Sequence, residues 1–180
     1  MIAEDKGALS VHFEFTEWSH KIRDVYMETG VKEHLFLGNS THVVDLVFHL
    51  CGVPKDWHSW HSGSLDWHPT SSRFVGAGVT DCGTLFSYLA DWEAPGRWGV
   101  EVLTLKRRYI FRPMEELHIT SQGSVEVEHV SINNSLDLRF KPGLFRQTMS
   151  FLQNDTTKLC SLSEQVEHTK IYSQIAGYKQ

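Results

Sequence analysis

The sequence predicts an α+β fold: an open, predominantly antiparallel sheet of about six strands with helices packed on one face. Two observations carry this. Apolar residues recur at every second position through much of residues 8–131, in short runs separated by tight turns. Helical spacing appears only at 39–51 and again after 141, so helices flank the strand-rich middle. Consecutive strands with short connections pair antiparallel, and helices at both ends of the chain can cover one face.

The elements follow in order. "ALSVHFEFTEW" (8–18) alternates, with Leu9, Val11, Phe13 and Phe15 on one face and Ser10, His12 and Glu14 on the other. Residues 19–34 are mixed and polar and read as a short helix and a loop. Asn39 or Ser40 is a good N-cap for a helix running to about Cys51, where Gly52 and Pro54 stop it. Residues 57–68 hold three Trp and three His, an aromatic-rich strand and loop. "SRFVGAGVT" (72–80) and "GTLFSYLADWE" (83–93) are strand-like, and "APG" (94–96) is a turn. "RWGVEVLTLKRRYIFRP" (97–113) reads as two strands joined near Leu105–Lys106. "EELHITSQG" and "SVEVEHVS" alternate on either side of Gln122–Gly123. After "KPG" (141–143), Leu144, Met149, Phe151 and Leu152 suggest a helix. A last helix opens at Ser161 or Ser163, with Glu164 placed for a capping box, and ends near Gly177. No repeat, low-complexity segment or linker divides the 180 residues, so one domain over 1–180 is expected.

Composition narrows the function classes. At 41% hydrophobic and 22% charged, with net charge −5, the chain is an ordinary globular sequence without the basic stripe of a nucleic-acid binder. Its apolar runs are too short to span a membrane, and "MIAEDKGALS" lacks the form of a signal peptide. Cys51, Cys82 and Cys160 are odd in number and far apart, which reads as buried, reduced thiols and a cytoplasmic protein. No G-x-G-x-x-G, P-loop, G-x-S-x-G or H-E-x-x-H motif is present.

Four stretches carry candidate chemistry. In "GNSTHVVDLVFH", His42, Asp45 and His49 share one helix face. A neutral His42 could exchange a proton with a substrate hydroxyl, and Asp45 could fix its tautomer; equally, the pair could solvate an exposed helix edge. His49 reads as structural. "DWHSWHSGSLDWH" offers His58, His61 and His68 to a metal, but on a strand residues 58 and 61 point to opposite faces, which favours aromatic packing. In "FEFTEWSH", Glu17 could accept hydroxyl hydrogen bonds and Trp18 could stack on a sugar, with His20 beside them; a solvated strand end is the alternative. In "APGRWGVEVLT", Arg97 could tie to Glu101 or Asp91, or present its fork to an anion.

Three stretches, "LGNSTHVVDLVFHLCGVP", "LADWEAPGRWGVEVLTLKRRYIFRPME" and "FKPGLFRQTMSFL", together resemble the C-terminal domain of the Gfo/Idh/MocA oxidoreductases, the glucose–fructose oxidoreductase and inositol dehydrogenase group. The resemblance covers nearly the whole chain, and is particularly to sugar dehydrogenases with "FEFTEWSH" in the first strand. It implies a sheet with helices on one side and a bare face that forms a homo-oligomer interface. It implies a sugar, cyclitol or nucleotide-sugar substrate bound against an N-terminal Rossmann domain that holds NAD or NADP. The group's H-x-x-D pattern falls on His42 and Asp45, with His42 as the acid/base or hydroxyl partner. Gly38 stands where the group often has Asp, and Asn39 is the adjacent hydrogen-bonding group. The expected substrate-binding set is therefore Asn39, Glu17, Trp18, His20 and Arg97. The sequence shows neither the Rossmann motif nor the group's E-K-P lysine, so the chain alone is expected to bind no cofactor and to be inactive. The alternatives are a stand-alone sugar-binding or assembly module pairing with a Rossmann-containing subunit, and a metal-dependent lyase or hydrolase using the His-rich segment.

Overall fold

A computed structural model describes residues 1–179. Eight strands form one sheet: β1 (Ser10–Glu14), β2 (Pro54–Ser62), β3 (Arg73–Thr80), β4 (Leu85–Asp91), β5 (Gly99–Leu103), β6 (Arg107–Phe111), β7 (Leu117–Ser121) and β8 (Glu128–Val130). Their order is β2-β3-β4-β1-β5-β6-β7-β8. The pair β1–β4 is parallel and the other pairs are antiparallel. The α+β class is as expected. The sheet has eight strands where about six were expected.

The first strand occupies the middle because later strands add on both sides of it. Glu14 pairs with Leu89 on one side and Gly99 on the other. The ends of β1 and β4 and the start of β5 thus meet at one end of the sheet, and the β4–β5 connection bridges the end of β1. Loops gathered there sit on rigid strands, which is where binding groups are commonly displayed.

Helices α1 (Ser19–Ile22), α2 (Thr41–Cys51), α3 (Ser135–Arg139), α4 (Leu144–Leu152) and α5 (Leu162–Ala176) complete the chain. The core lies between the sheet and α2 and α5. It joins Val11, Phe13, Phe74, Tyr88 and Val102 from strands to Val43, Val44, Val47 and Phe48 from α2 and Tyr172 and Ile175 from α5. Each such side chain contributes roughly 1.5–3 kcal/mol on full burial. Ser161 and Glu164 form the expected capping box of α5, and Gly177 ends it at φ 75°. The helix at 144–152 forms as expected, but Phe151 and Leu152 remain more than 70% exposed because α4 packs mainly on α3 and the turn Thr156–Lys158 rather than on the core.

The opposite face of the sheet is bare and carries Trp60, Val75, Leu85 and Leu89, all exposed. Trp67, from the same aromatic-rich segment as Trp60, does not lie on this face. It stacks on Trp92, with ring centroids 5.9 Å apart, because the loop after β2 folds back over the covered side. Of the three cysteines, Cys51 alone is buried. Cys82 lies in the β3–β4 turn and Cys160 before α5, both exposed, and all three thiols are free. Among the described residues, no helix is long and apolar enough to cross a membrane.

Candidate functional site

The residues leaving β1 make the site. Phe15 still points into the core, and the next side chains, Thr16 and Glu17, are buried as well. Glu17 is 1% exposed, so it is no solvated strand end. Its Oε1 accepts hydrogen bonds from Asn39 Nδ2 at 3.0 Å, Ser40 Oγ at 2.8 Å and Trp98 Nε1 at 3.0 Å. Its Oε2 accepts from Arg97 Nη1 at 3.0 Å. A buried carboxylate needs this degree of satisfaction. Burial holds the Glu17 carboxyl above its ordinary range, against the bonds from Ser40, Trp98 and Arg97.

Three chain segments are therefore tied to one carboxylate. The second is the entry to α2. Residues Phe36–Ser40 form a π-helical turn continuous with that helix. Ser40 is already helical and makes no capping bond from its side chain, so neither it nor Asn39 acts as the expected cap. The turn instead aims both side chains at Glu17. Such turns are frequent at functional sites. The third segment is the β4–β5 connection. Gly96 lies so close to the first that a Cβ there would come within 2.3 Å of Glu14 Oε1. Its carbonyl accepts from Trp18 Nε1 at 2.8 Å.

Arg97 takes Glu17 as its partner, not Glu101 or Asp91, because the turn carries it over the end of β1. Its guanidinium lies 4.4 Å from the Trp98 ring centre and 5.2 Å from that of Trp18. Lys21 Nζ lies 4.4 Å from the Trp18 ring centre. His42 is exposed in the first turn of α2, its ring 6.1 Å from that of Trp98. Glu17, Trp18, Asn39, His42 and Arg97, read from separate stretches, thus come together. His20 is exposed on α1, two residues beyond Trp18. Two contributors lie outside the expected set: Ser40, read as a cap, and Trp98, whose only signal was its place beside Arg97.

Asp45 does not join this group. Its Oδ1 accepts a short hydrogen bond from Tyr172 Oη and lies 3.8 Å from His168 Nδ1. The turn of α2 toward α5 decides this, so Asp45 does not fix the His42 tautomer. It borders a separate cleft of about 410 Å³ with His49, Cys160, Glu164 and His168. Burial and the Asp45 carboxylate push the Tyr172 hydroxyl up.

The His-rich segment holds no metal cluster. His58 and His61 fall on opposite faces of β2, opposite Ala77 and Phe74. His68 is fully buried, bonded to Ser71 O at 2.7 Å and Tyr178 Oη at 2.7 Å. Among the described residues, no group of three or more His, Cys, Asp or Glu is arranged to hold a metal ion. The glycine-rich turn that holds the pyrophosphate of a dinucleotide is absent from the connection after β1, "FTEW", which has no glycine.

No family model matches the sequence, and no curated protein matches it. Solved structures do. A putative oxidoreductase from Thermotoga maritima superposes with TM-score 0.60 and 10% identity, over 96% of this chain and 54% of that one. An inositol dehydrogenase homolog complexed with NAD+ from Azotobacter vinelandii gives TM-score 0.58 and 13% identity, over 73% of this chain and 39% of that one. Levoglucosan dehydrogenase in complex with NADH and levoglucosan gives TM-score 0.54 and 15% identity, over 72% and 41%. The chain thus matches about two fifths to one half of each protein's length. The likeness lies in the fold, and the resemblance read from the sequence extends to it.

Proposed function

We propose that this chain is the substrate-binding and oligomerisation half of an NAD(P)-dependent sugar or cyclitol dehydrogenase. The observation that carries the reading is the convergence of Asn39, Ser40, Arg97 and Trp98 on the Glu17 carboxylate at the meeting point of three loops, with Trp18 and His42 beside them, on a fold shared with part of such dehydrogenases. In this reading His42 exchanges a proton with the substrate hydroxyl that becomes the carbonyl. Asn39, Arg97 and the Trp18 edge orient the sugar, and His20 lines the rim. Glu17 touches no substrate; it holds the others in place. The nicotinamide group supplies the hydride acceptor, held by a Rossmann unit that the residues described here do not form, so the chain alone turns over no substrate.

The bare sheet face, with Trp60, Leu85 and Leu89 exposed, supports the oligomer. A second copy of the chain covering it would bury those side chains.

Calorimetry on the full chain tests the reading. Sugars or cyclitols should bind at millimolar strength, and His42→Ala should weaken them. Micromolar binding of NAD(H) or NADP(H) to this chain alone overturns the assignment of the cofactor to another unit. A strictly monomeric chain in sedimentation at tens of micromolar overturns the oligomer.

A further inference from the structure

The bare face of the sheet carries histidines as well as apolar side chains. Residues directly opposite one another on paired strands share a face, and one such row crosses all eight strands. His58 of β2 lies opposite Ala77, Ala77 opposite Ser87, and Ser87 beside His12 of β1. Beyond β1 the row continues through Glu101 and Ile110 to His118 and His129. His12, His58 and His129 are exposed and His118 is half-buried. The His118 and His129 rings lie 5.2 Å apart, His58 lies 6.0 Å from the exposed Trp60 ring, and His12 Nδ1 shares a hydrogen bond of 3.1 Å with Ser87 Oγ. The carboxylates nearest the middle of the row are already engaged: Arg108 lies 3.4 Å from Glu101 and Arg112 lies 2.9 Å from Glu14. Among the described residues, Asp56 on the strand of His58 has no ion pair, and Glu116 meets only His118, at 4.0 Å. The face is large enough for a stable pair. Eight strands about 4.8 Å apart, most of them five to nine residues long, make a surface of roughly 600–1,000 Å² per copy, against about 800 Å² a side in a standard interface.

We propose that this face is a pH-gated interface with a second copy of the chain: the copies pair while the histidines of the row are neutral and separate as they take up protons. This rests on the reading that a second copy covers the sheet. Imidazole is the side chain whose ordinary charge change falls between about pH 5 and 8. Covering the row removes it from water, which disfavours the charged ring. At His12, in the middle of the sheet, Glu101 and Glu14 are held by their arginines and offer a charged ring no free partner. Pairing therefore releases protons, and it weakens as pH falls.

Sedimentation of the full chain over a concentration series at pH 8.0 and 6.0 tests it, with circular dichroism to confirm the fold at both. An ordinary imidazole that must shed its proton on burial weakens association about fourfold at pH 6.0, so one ring from each copy already raises Kd roughly tenfold over pH 8.0. The quadruple variant His12→Gln, His58→Gln, His118→Gln and His129→Gln keeps polar side chains that bind no proton. Its Kd should change by less than about threefold between the two pH values. His12→Gln alone should lower the wild-type ratio by about threefold or more, and decides the matter where the quadruple variant does not fold. A wild-type Kd that is equal or lower at pH 6.0, or a variant that keeps the full pH response, overturns the inference and leaves the oligomer standing. A chain that is monomeric at tens of micromolar at pH 8.0 overturns both.

Discussion

Replacing Glu17 tests the site as a piece of architecture. Glu17→Ala removes the acceptor of four hydrogen bonds at once. Ser40 Oγ loses its partner inside the protein, and Trp98 Nε1 loses its own, whereas half-exposed Arg97 can turn to water. Each buried group left unpaired costs about 1–3 kcal/mol, and such losses are not additive within one network. The expected destabilisation is about 3–5 kcal/mol, which for a chain of this size lowers Tm by about 6–20 °C. Glu17→Gln keeps an oxygen for Asn39, Ser40 and Trp98 and loses only the Arg97 bond, so about 1–3 kcal/mol is expected. The pH profile adds a sign. Burial raises the folded-state pKa of Glu17 above its ordinary value of 4.5. Its contribution to stability is then full below pH 4.5 and is lost as pH rises through the folded-state value. The difference in unfolding free energy, wild type minus Glu17→Gln, should therefore fall as pH rises from 4.5. Denaturant melts of the three proteins at several pH values measure all of this. A Tm loss under about 3 °C in Glu17→Ala, or a difference that grows with pH, would refute the reasoning.

Other outcomes follow from neighbouring contacts. His68 is held neutral by burial, its pKa lowered from 6.5, so its contribution is present above pH 6.5 and is lost as pH falls; Tm should drop on acidification. Tyr178→Phe, which removes the partner of its Nε2, should lower Tm by about 2–8 °C at pH 7.5 by calorimetry. Gly177→Ala places a Cβ 2.6 Å from His61 Cε1 at φ 75°, and should cost about 1–3 kcal/mol in a denaturant melt. Gly38 has open space around it, so Gly38→Asp should fold and place a carboxylate one helical turn before His42. The ring signals of His42 should then move in an NMR spectrum relative to wild type; unchanged signals show that the two side chains do not meet.

The strand alternation, the capping box at Ser161 and the stop at Gly52 were legible because each is a local pattern in which a few neighbouring residues decide the outcome. The candidate residues Glu17, Asn39, His42 and Arg97 were legible one at a time, from the residue types in their short motifs and from the resemblance. Their partners were not. Arg97 has acids near in sequence, yet it pairs with Glu17, 80 positions away, because β1 lies between β4 and β5. Asp45 shares a helix face with His42, yet α5 draws it off through Tyr172. Ser40 reads as a cap until the π-helical turn carries it past the helix start.

The sequence by itself thus determined which segments are strands and helices, which faces are apolar, and which side chains have chemistry to offer. Only the tertiary structure decided which of them meet. Periodicity measures distance along the chain, whereas a buried carboxylate collects its donors from whatever the sheet order brings within 3 Å.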